Sequence, residues 1–417
     1  MRQKPDIFII SGKSPAGDSG GYPAYAHTLG RILTSLGYTV SIFAISDIPG
    51  IKKTQYGTVY FSGTKLIRLF PILRHIALAG LPYYSILFYK TMKHVLNNSK
   101  NKSCIVWGMG PWGFPGALLK LFPPRAASVS LFTSYFTSTR HEMHGAYNAI
   151  RVDDYGIGPK IKYFMVYHVV ARIFHILEQI TLWWCDKIII HYQSSERIIQ
   201  KYFSLPSRQK IIRFPWYVDI FSREGPQTTS PSSFPHPLIV SICRQDPRKG
   251  LNFLIRAMEQ VIAVNPSAHC YIIGTGELLE LNKKLVRKLH LEHNVSVLGF
   301  VPDIRPILKE ADIAIIVPLA QGSSALTVME AMSYGKAIVG SKCDGIPEDI
   351  THLQSGLIVP AGHRDAIAAA IIRLIKDPNL RKRLGAGAFA AYQTRFGLQK
   401  MRVNLSRVIT QPLLPAH

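Results

Sequence analysis

Between Asp47 and Glu142 the sequence has no acidic side chain, although that stretch carries 12 lysines and arginines. Acid is scarce throughout: 49 basic residues face 25 acidic ones in 417, a formal net charge of +24. The imbalance is uneven, with 26 basic against 10 acidic residues over 1–222 and 23 against 15 over 223–417. A surface of one sign points to an anionic partner: nucleic acid, anionic lipid or a phosphorylated substrate. No helix-turn-helix, RNP-like or zinc-finger pattern is present, so no nucleic-acid partner is expected. Long apolar runs are missing as well. Nothing approaches the roughly 18 uncharged residues of a membrane span, and 75–89 is broken by Gly80 and Pro82 and bounded by Arg74 and Lys90. The opening "MRQKPDIFII" lacks the apolar region of a signal peptide.

Cysteine is sparse. Cys104, Cys185, Cys243, Cys270 and Cys343 form no C-x-x-C pair and are odd in number, which argues against a disulfide framework or a zinc site and fits a reducing compartment. No D-x-D, G-x-S-x-G or P-loop occurs, and no His/Asp/Glu group has metal-ligand spacing. Hydrolase and kinase readings lose ground, and no metal is expected.

What the sequence does contain is alternation. A buried-strand run, "DIFII" (6–10), is followed by a glycine-rich loop (12–23), a helix (24–37) and a second strand (38–45), the signature of a parallel βαβ unit. Further strands are expected at 103–108, 127–134 and 187–192. A Pro/Ser/Thr-rich stretch, "GPQTTSPSSFPH" (225–236), reads as a linker. Beyond it strands at 237–243, 269–274, 295–300, 313–318 and 337–340 alternate with helices. The expected organisation is therefore α/β: two Rossmann-like doubly wound domains, 1–222 and 237–396, joined by a linker at 223–236. Residues 397–417 form a C-terminal helix that could return to the first domain. In such sheets ligands bind beyond the carboxyl ends of the strands, so the natural site is a cleft between the two domains.

The segment "QGSSALTVMEAMSYGKAIVG" (321–340) holds Glu330, the only acid between Asp312 and Asp344. Ser323 or Ser324 is expected to cap a helix beginning near Ala325. The first amides of that helix and the flexible Gly322 suit an anion such as a pyrophosphate. Glu330, one and a half turns on, would then meet ribose hydroxyls; taken alone, it could equally point at solvent. "SICRQDPRKG" (241–250) puts Arg244 and Lys249 in one βα loop, where the two cations could neutralise a diphosphate or simply occupy a solvated turn. "IIGTGELLE" (272–280) and "CDGIPEDI" (343–350) are further glycine loops at strand ends, and "GDSGGYP" (17–23) is another in the first half.

Taken in order, these motifs resemble family 4 of the retaining glycosyltransferases, which have the GT-B architecture. The resemblance runs from "VSICRQDPRKGLNFLIRAM" through "YIIGTGELLELNKK", "VSVLGFVPD" and "GSSALTVMEAMSYGKAIVGSKCDGIPEDI" to "SGLIVPAG"; "SGGYPAYAHTLGRILTSLGYTV" extends it loosely into the first half. It implies a GT-B enzyme that moves a sugar from a nucleotide-diphosphate sugar to an acceptor hydroxyl, without cofactor or metal. Arg244 and Lys249 would stabilise the leaving diphosphate. Ser324, Ala325, Leu326 and Thr327 would meet the phosphates, Gly20 and Gly21 would approach them from the other domain, and Gly274 would belong to the donor site. Phe300 would lie near the base and Glu330 on the ribose. His144, or else His141, would stand for a histidine near the sugar.

One departure is plain. The family pairs two glutamates with seven residues between them, but counting back from Glu330 reaches Gly322, with Gln321 one residue too far. The acceptor, a glycan or a lipid-linked sugar, is expected on the first domain. There, 65–94 interleaves Lys/Arg with Leu, Ile, Phe and Tyr, as a segment lying on an anionic membrane would; a buried helix pair with snorkelling basic ends is the other reading. A cytoplasmic protein, peripheral on the inner face of the membrane, follows. A GT-B epimerase or phosphorylase, or a non-catalytic nucleotide-binding subunit, is the alternative.

Overall fold

A computed structural model describes residues 4–13, 21–46, 48–63, 81–152, 157–205, 210–219 and 234–411. The chain forms two compact units. The first comprises Met1–Arg140, Val169–Ile220 and Phe396–His417; the second comprises His141–His168 and Phe221–Arg395. The expected boundary near 222 is thus interrupted by an excursion: residues 141–168 pack with the second unit. Most of the expected linker lies outside the described residues.

The first unit is built on an eight-stranded sheet. Its strands are β1 (Asp6–Lys13), β2 (Val40–Ser46), β3 (Gly50–Thr54), β4 (Gly57–Gly63), β5 (Ser103–Met109), β6 (Ser128–Tyr135), β7 (Lys187–Ile190) and β8 (Lys210–Arg213). Their order is β3-β4-β2-β1-β5-β6-β7-β8, with only β3 antiparallel to its neighbour. Ile7–Ile10 are fully buried, as a strand covered on both faces requires. The C-terminal helix Leu398–Thr410 packs on helix Gly21–Ser35 of this same unit. It is tied there by the Lys187 ammonium, which donates to the Val408 and Gln411 carbonyls at 2.5 and 2.7 Å.

The second unit has six parallel strands: β9 (Leu238–Ile242), β10 (His269–Ile273), β11 (Val295–Gly299), β12 (Ile313–Ile316), β13 (Ala337–Ser341) and β14 (Leu357–Val359). Their order is β11-β10-β9-β12-β13-β14. This is the doubly wound order in which the winding reverses between the first and fourth strands. Helices to either side of β9 and β12 lead away in opposite directions, so the loops at their carboxyl ends part and leave a ligand crevice there. The two loops that follow β9 and β12 are the ones singled out by their residues, 243–250 and 317–325.

Candidate functional site

The loop after β9 is organised by a buried carboxylate. Asp246 accepts from the Arg248 amide at 3.0 Å and from its guanidinium at 3.0 Å, while the other Arg248 amino group reaches Glu142 at 2.8 Å. Burial works to raise the Asp246 pKa, but Arg248, Lys249 and Arg244 outweigh it and hold the carboxyl below its usual range. The three cations therefore surround one acid. Arg248 is consumed by its two partners. Arg244 is exposed and Lys249 half-buried. The Lys249 pKa is lowered, first by burial and then by Arg248 beside it; an incoming anion would oppose that lowering.

Lys249 also spans the two loops. Its ammonium donates to the Gln321 side-chain oxygen at 2.5 Å, and the Leu319 amide donates to the Arg248 carbonyl at 2.6 Å. Gln321, next to the position where the family pattern has its first glutamate, thus gives Lys249 a neutral partner rather than a charged one.

The loop after β12 is held by Asp344. One of its oxygens accepts from the Gln321 amide at 2.8 Å, the Gly322 amide at 2.6 Å and the His141 ring at 3.1 Å. Burial pushes the Asp344 pKa up, but His141 and the two amides overcome that and pull it down to about 2. The loop after β13, which carries Asp344, touches the loop after β12 closely: a Cβ on Gly345 would stand 2.5 Å from the Ser324 nitrogen, so only glycine fits.

The expected serine cap is corrected here. Helix Leu326–Ser333 has Ala325 as its N-cap, with no side-chain cap hydrogen bond among the described residues. Ser323 instead donates to the Ser324 carbonyl at 3.1 Å. The Ser324 hydroxyl is buried, and among the described residues nothing bonds to it. A helix start whose cap supplies no side-chain acceptor, a buried hydroxyl without a partner among the described residues and the Lys249 ammonium at the neighbouring Gln321 make an arrangement suited to phosphoryl oxygens. Ser324, Ala325, Leu326 and Thr327 are all at this helix start.

Glu330 is 6% exposed, which removes the solvent-facing alternative. Its charge is felt by Tyr334 one turn on, where Asp303 and Arg305 also act. Gly274 serves the loop geometry: at φ +130° its missing Cβ lets β10's loop rest on the Cys243 carbonyl oxygen. Gln245 then donates to the Gly274 carbonyl at 2.7 Å, and its own oxygen accepts from Asn282 at 2.8 Å. Phe300, just after β11, is exposed. In the first unit Gly21 begins helix Gly21–Ser35, and Gly20 lies outside the described residues. His144 turns Nε2 towards Asn148 at 3.2 Å and packs its ring on Tyr167; His141, three residues earlier, is the histidine at the loop.

Three functional contacts had little local signal in the sequence. Asp344–His141 and Arg248–Glu142 join residues far apart in the chain, and Gln321–Lys249 needs the β9 and β12 loops to be adjacent. The only hint was the "DG" pair at 344–345, a turn signal that fits the positive φ of Asp344, 44°. Among the described residues no group of three or more His, Cys, Asp or Glu is placed to hold a metal ion.

A βαβ-built sheet of this order is a doubly wound α/β unit with cationic and amide donors at its switch point. Residues 230–390 match the family model of glycosyl transferases group 1. Over 181 residues the chain is 29% identical to the GDP-mannose-dependent monoacylated alpha-(1-6)-phosphatidylinositol monomannoside mannosyltransferase of Corynebacterium glutamicum, covering 42% of this chain and 47% of that protein. The chain thus spans less than half the length of the curated relatives it matches. Whole-chain similarity lies in the fold. Sucrose-phosphate synthase from Thermosynechococcus elongatus superposes with a TM-score of 0.74 at 17% identity, over 97% of this chain and 98% of that one. Anabaena Alr3699/HepE in complex with UDP-glucose superposes at 0.68 and 17%, over 97% and 99%. The fold is GT-B.

Proposed function

We propose that the protein is a retaining glycosyltransferase that moves a sugar from a nucleotide-diphosphate sugar to an acceptor hydroxyl in glycan or glycolipid assembly. The observation that carries this reading is the convergence of Lys249, the buried Ser324 hydroxyl and the uncapped start of helix Leu326–Ser333 at the switch point of the second sheet. The bond to the diphosphate breaks as positive charge grows on the sugar ring. Fixed donors aimed at the departing phosphate then stabilise the transition state without having to reorganise. Arg244 and Lys249 supply charge, the helix amides supply dipoles, and Glu330 holds the ribose. His141 acts through Asp344, keeping the Gln321–Gly322 backbone in place, so it is a positioning residue. His144 keeps a candidate role at the sugar.

Support also comes from the relatives, which are named as glycosyltransferases rather than epimerases or phosphorylases, and from a solved structure of the same fold bound to UDP-glucose. The reaction needs no metal in this reading, because the charge on the leaving group is met by side chains and amides. The acceptor is a glycan or lipid-linked sugar, and the protein works from the cytoplasm, peripheral to an anionic membrane. Incubation with a panel of nucleotide sugars in the presence of a chelator, scored for nucleotide release, tests this. Release from one donor supports the reading; no release from any donor, with nucleotide still bound, favours a non-catalytic subunit.

A further inference from the structure

We infer that the outer face of three helices in the first unit is a docking surface for an anionic lipid bilayer. The helices are Leu81–Asn98, Phe114–Leu121 and Ala171–Trp184. The middle one packs against both others. The inference refines the membrane part of the reading above and moves its centre. Of the segment 65–94, residues 65–80 lie outside the described residues. From 81 on, Leu81, Tyr84, Phe88 and Met92 are buried in the core, leaving Tyr83, Ile86 and Lys90 outside.

The strongest feature is on helix Ala171–Trp184. Ile173, Ile176, Ile180 and Trp184 recur at i, i+3, i+7 and i+11, one stripe of a helix, with Trp183 beside it. Ile176 is 58% exposed and Trp183 50%, and Ile173 and Trp184 are exposed as well. A stripe of this size on a helix whose opposite side, Phe174 and Leu182, already packs into the core does not serve the fold.

Three observations name the occupant. First, the patch is continuous across the layer. Lys93 donates to the Tyr89 hydroxyl at 3.1 Å, Tyr89 donates to the carbonyl of exposed Phe122 at 3.2 Å, and Lys120 donates to the Trp184 carbonyl at 3.0 Å. Second, the net charge has one sign. Asp186, just past the third helix, is paired with Lys120 at 2.5 Å, and residues 81–98, 114–125 and 169–184 contain a single acid, Glu178. It is 1% exposed and turned inward, accepting from the Thr139 amide and hydroxyl at 3.0 and 2.7 Å, whereas Lys90, Arg125 and Arg172 are exposed. A protein partner would have to match that field with a matching acidic face, while an anionic bilayer does so with every headgroup. Third, the aromatic content suits the depth of an interface. Trp183 satisfies its N–H on the Ser204 carbonyl at 2.8 Å, which leaves the ring free to lie among acyl chains. No described helix is long and apolar enough to cross a membrane, so the contact is with the surface.

The test is sedimentation with vesicles of phosphatidylglycerol and phosphatidylcholine, and with phosphatidylcholine alone, using the full chain and the variant Ile173→Asp/Ile176→Asp. Nucleotide release without vesicles is followed in parallel. The wild type should bind the anionic vesicles, and the variant about tenfold or more weakly. Nucleotide release should be the same in both, which also shows that the variant is folded. Brominated lipid gives a second readout that needs no variant. Trp107, Trp112 and Trp216 are buried, so quenching on binding reports Trp183 and Trp184. Equal binding by wild type and variant, or binding without quenching, overturns this face while the membrane reading stands. No binding by the wild type overturns both, and a wild-type dimer that the variant breaks assigns the face to a second copy instead.

Discussion

Replacing Asp344 with asparagine should loosen the loop after β12 by a predictable amount. The carboxylate oxygen accepts from the Gln321 and Gly322 amides and from His141, and an amide side chain of the same shape cannot replace that charge. The folded environment lowers the Asp344 pKa from 3.8 to about 2. A depression of that size corresponds to about 2 kcal/mol favouring the ionised, folded arrangement. Because the pKa is depressed, this contribution is complete above about 3.8 and fades as the pH falls towards about 2. At neutral pH the variant therefore loses all of it. Tryptophan fluorescence would miss the effect, since all five tryptophans lie in the first unit. Hydrogen exchange read by mass spectrometry on a peptide covering 321–322 sees it directly. Both amides should exchange roughly thirtyfold faster in the variant, and nucleotide affinity should fall alongside. Unchanged protection of that peptide would refute the argument that Asp344 organises the loop.

Two more changes probe neighbouring parts. Gly274→Ala places a side chain at φ +130° against the Cys243 carbonyl; it should destabilise the second unit by about 1–3 kcal/mol, measured by urea denaturation followed by circular dichroism. Glu330→Gln should raise the KM for the nucleotide sugar about tenfold with kcat nearly unchanged, as expected for a group that binds ribose equally before and during the reaction; steady-state kinetics on the preferred donor checks it.

The two parallel sheets were legible because strands buried on both faces read as unbroken apolar runs: "DIFII" for β1 and "IAIIVP" for β12 both fell within a few residues of their observed ends. Edge strands were not. β3, "GIKKT", is exposed along most of its length and antiparallel to β4, so it has neither an apolar run nor a helix before it. The excursion of 141–168 to the second unit was also illegible, because it depends on His141 meeting Asp344 and Glu142 meeting Arg248, contacts between segments remote in sequence. At the site, residue types were legible and their partners were not. Glu330 stood out as a lone acid in an apolar helical stretch, and Arg244 and Lys249 as two cations in one βα loop. The serine cap failed because Ala325 takes the cap position, which leaves the Ser324 hydroxyl unbonded. The exposed stripe of helix Ala171–Trp184 was hidden for a different reason: an apolar helix reads as core until its outer face is seen without a cover.

The central claim is that fixed cations and amides at the second sheet's switch point stabilise a departing diphosphate, and Arg244→Ala tests it most directly. Arg244 is exposed, so its removal leaves the fold intact, and losing one such charge should cost roughly 2–4 kcal/mol of transition-state stabilisation. The account predicts that kcat/KM for the preferred nucleotide sugar falls by about thirtyfold to a thousandfold, with the circular dichroism spectrum unchanged. Turnover equal to that of the wild type would contradict it.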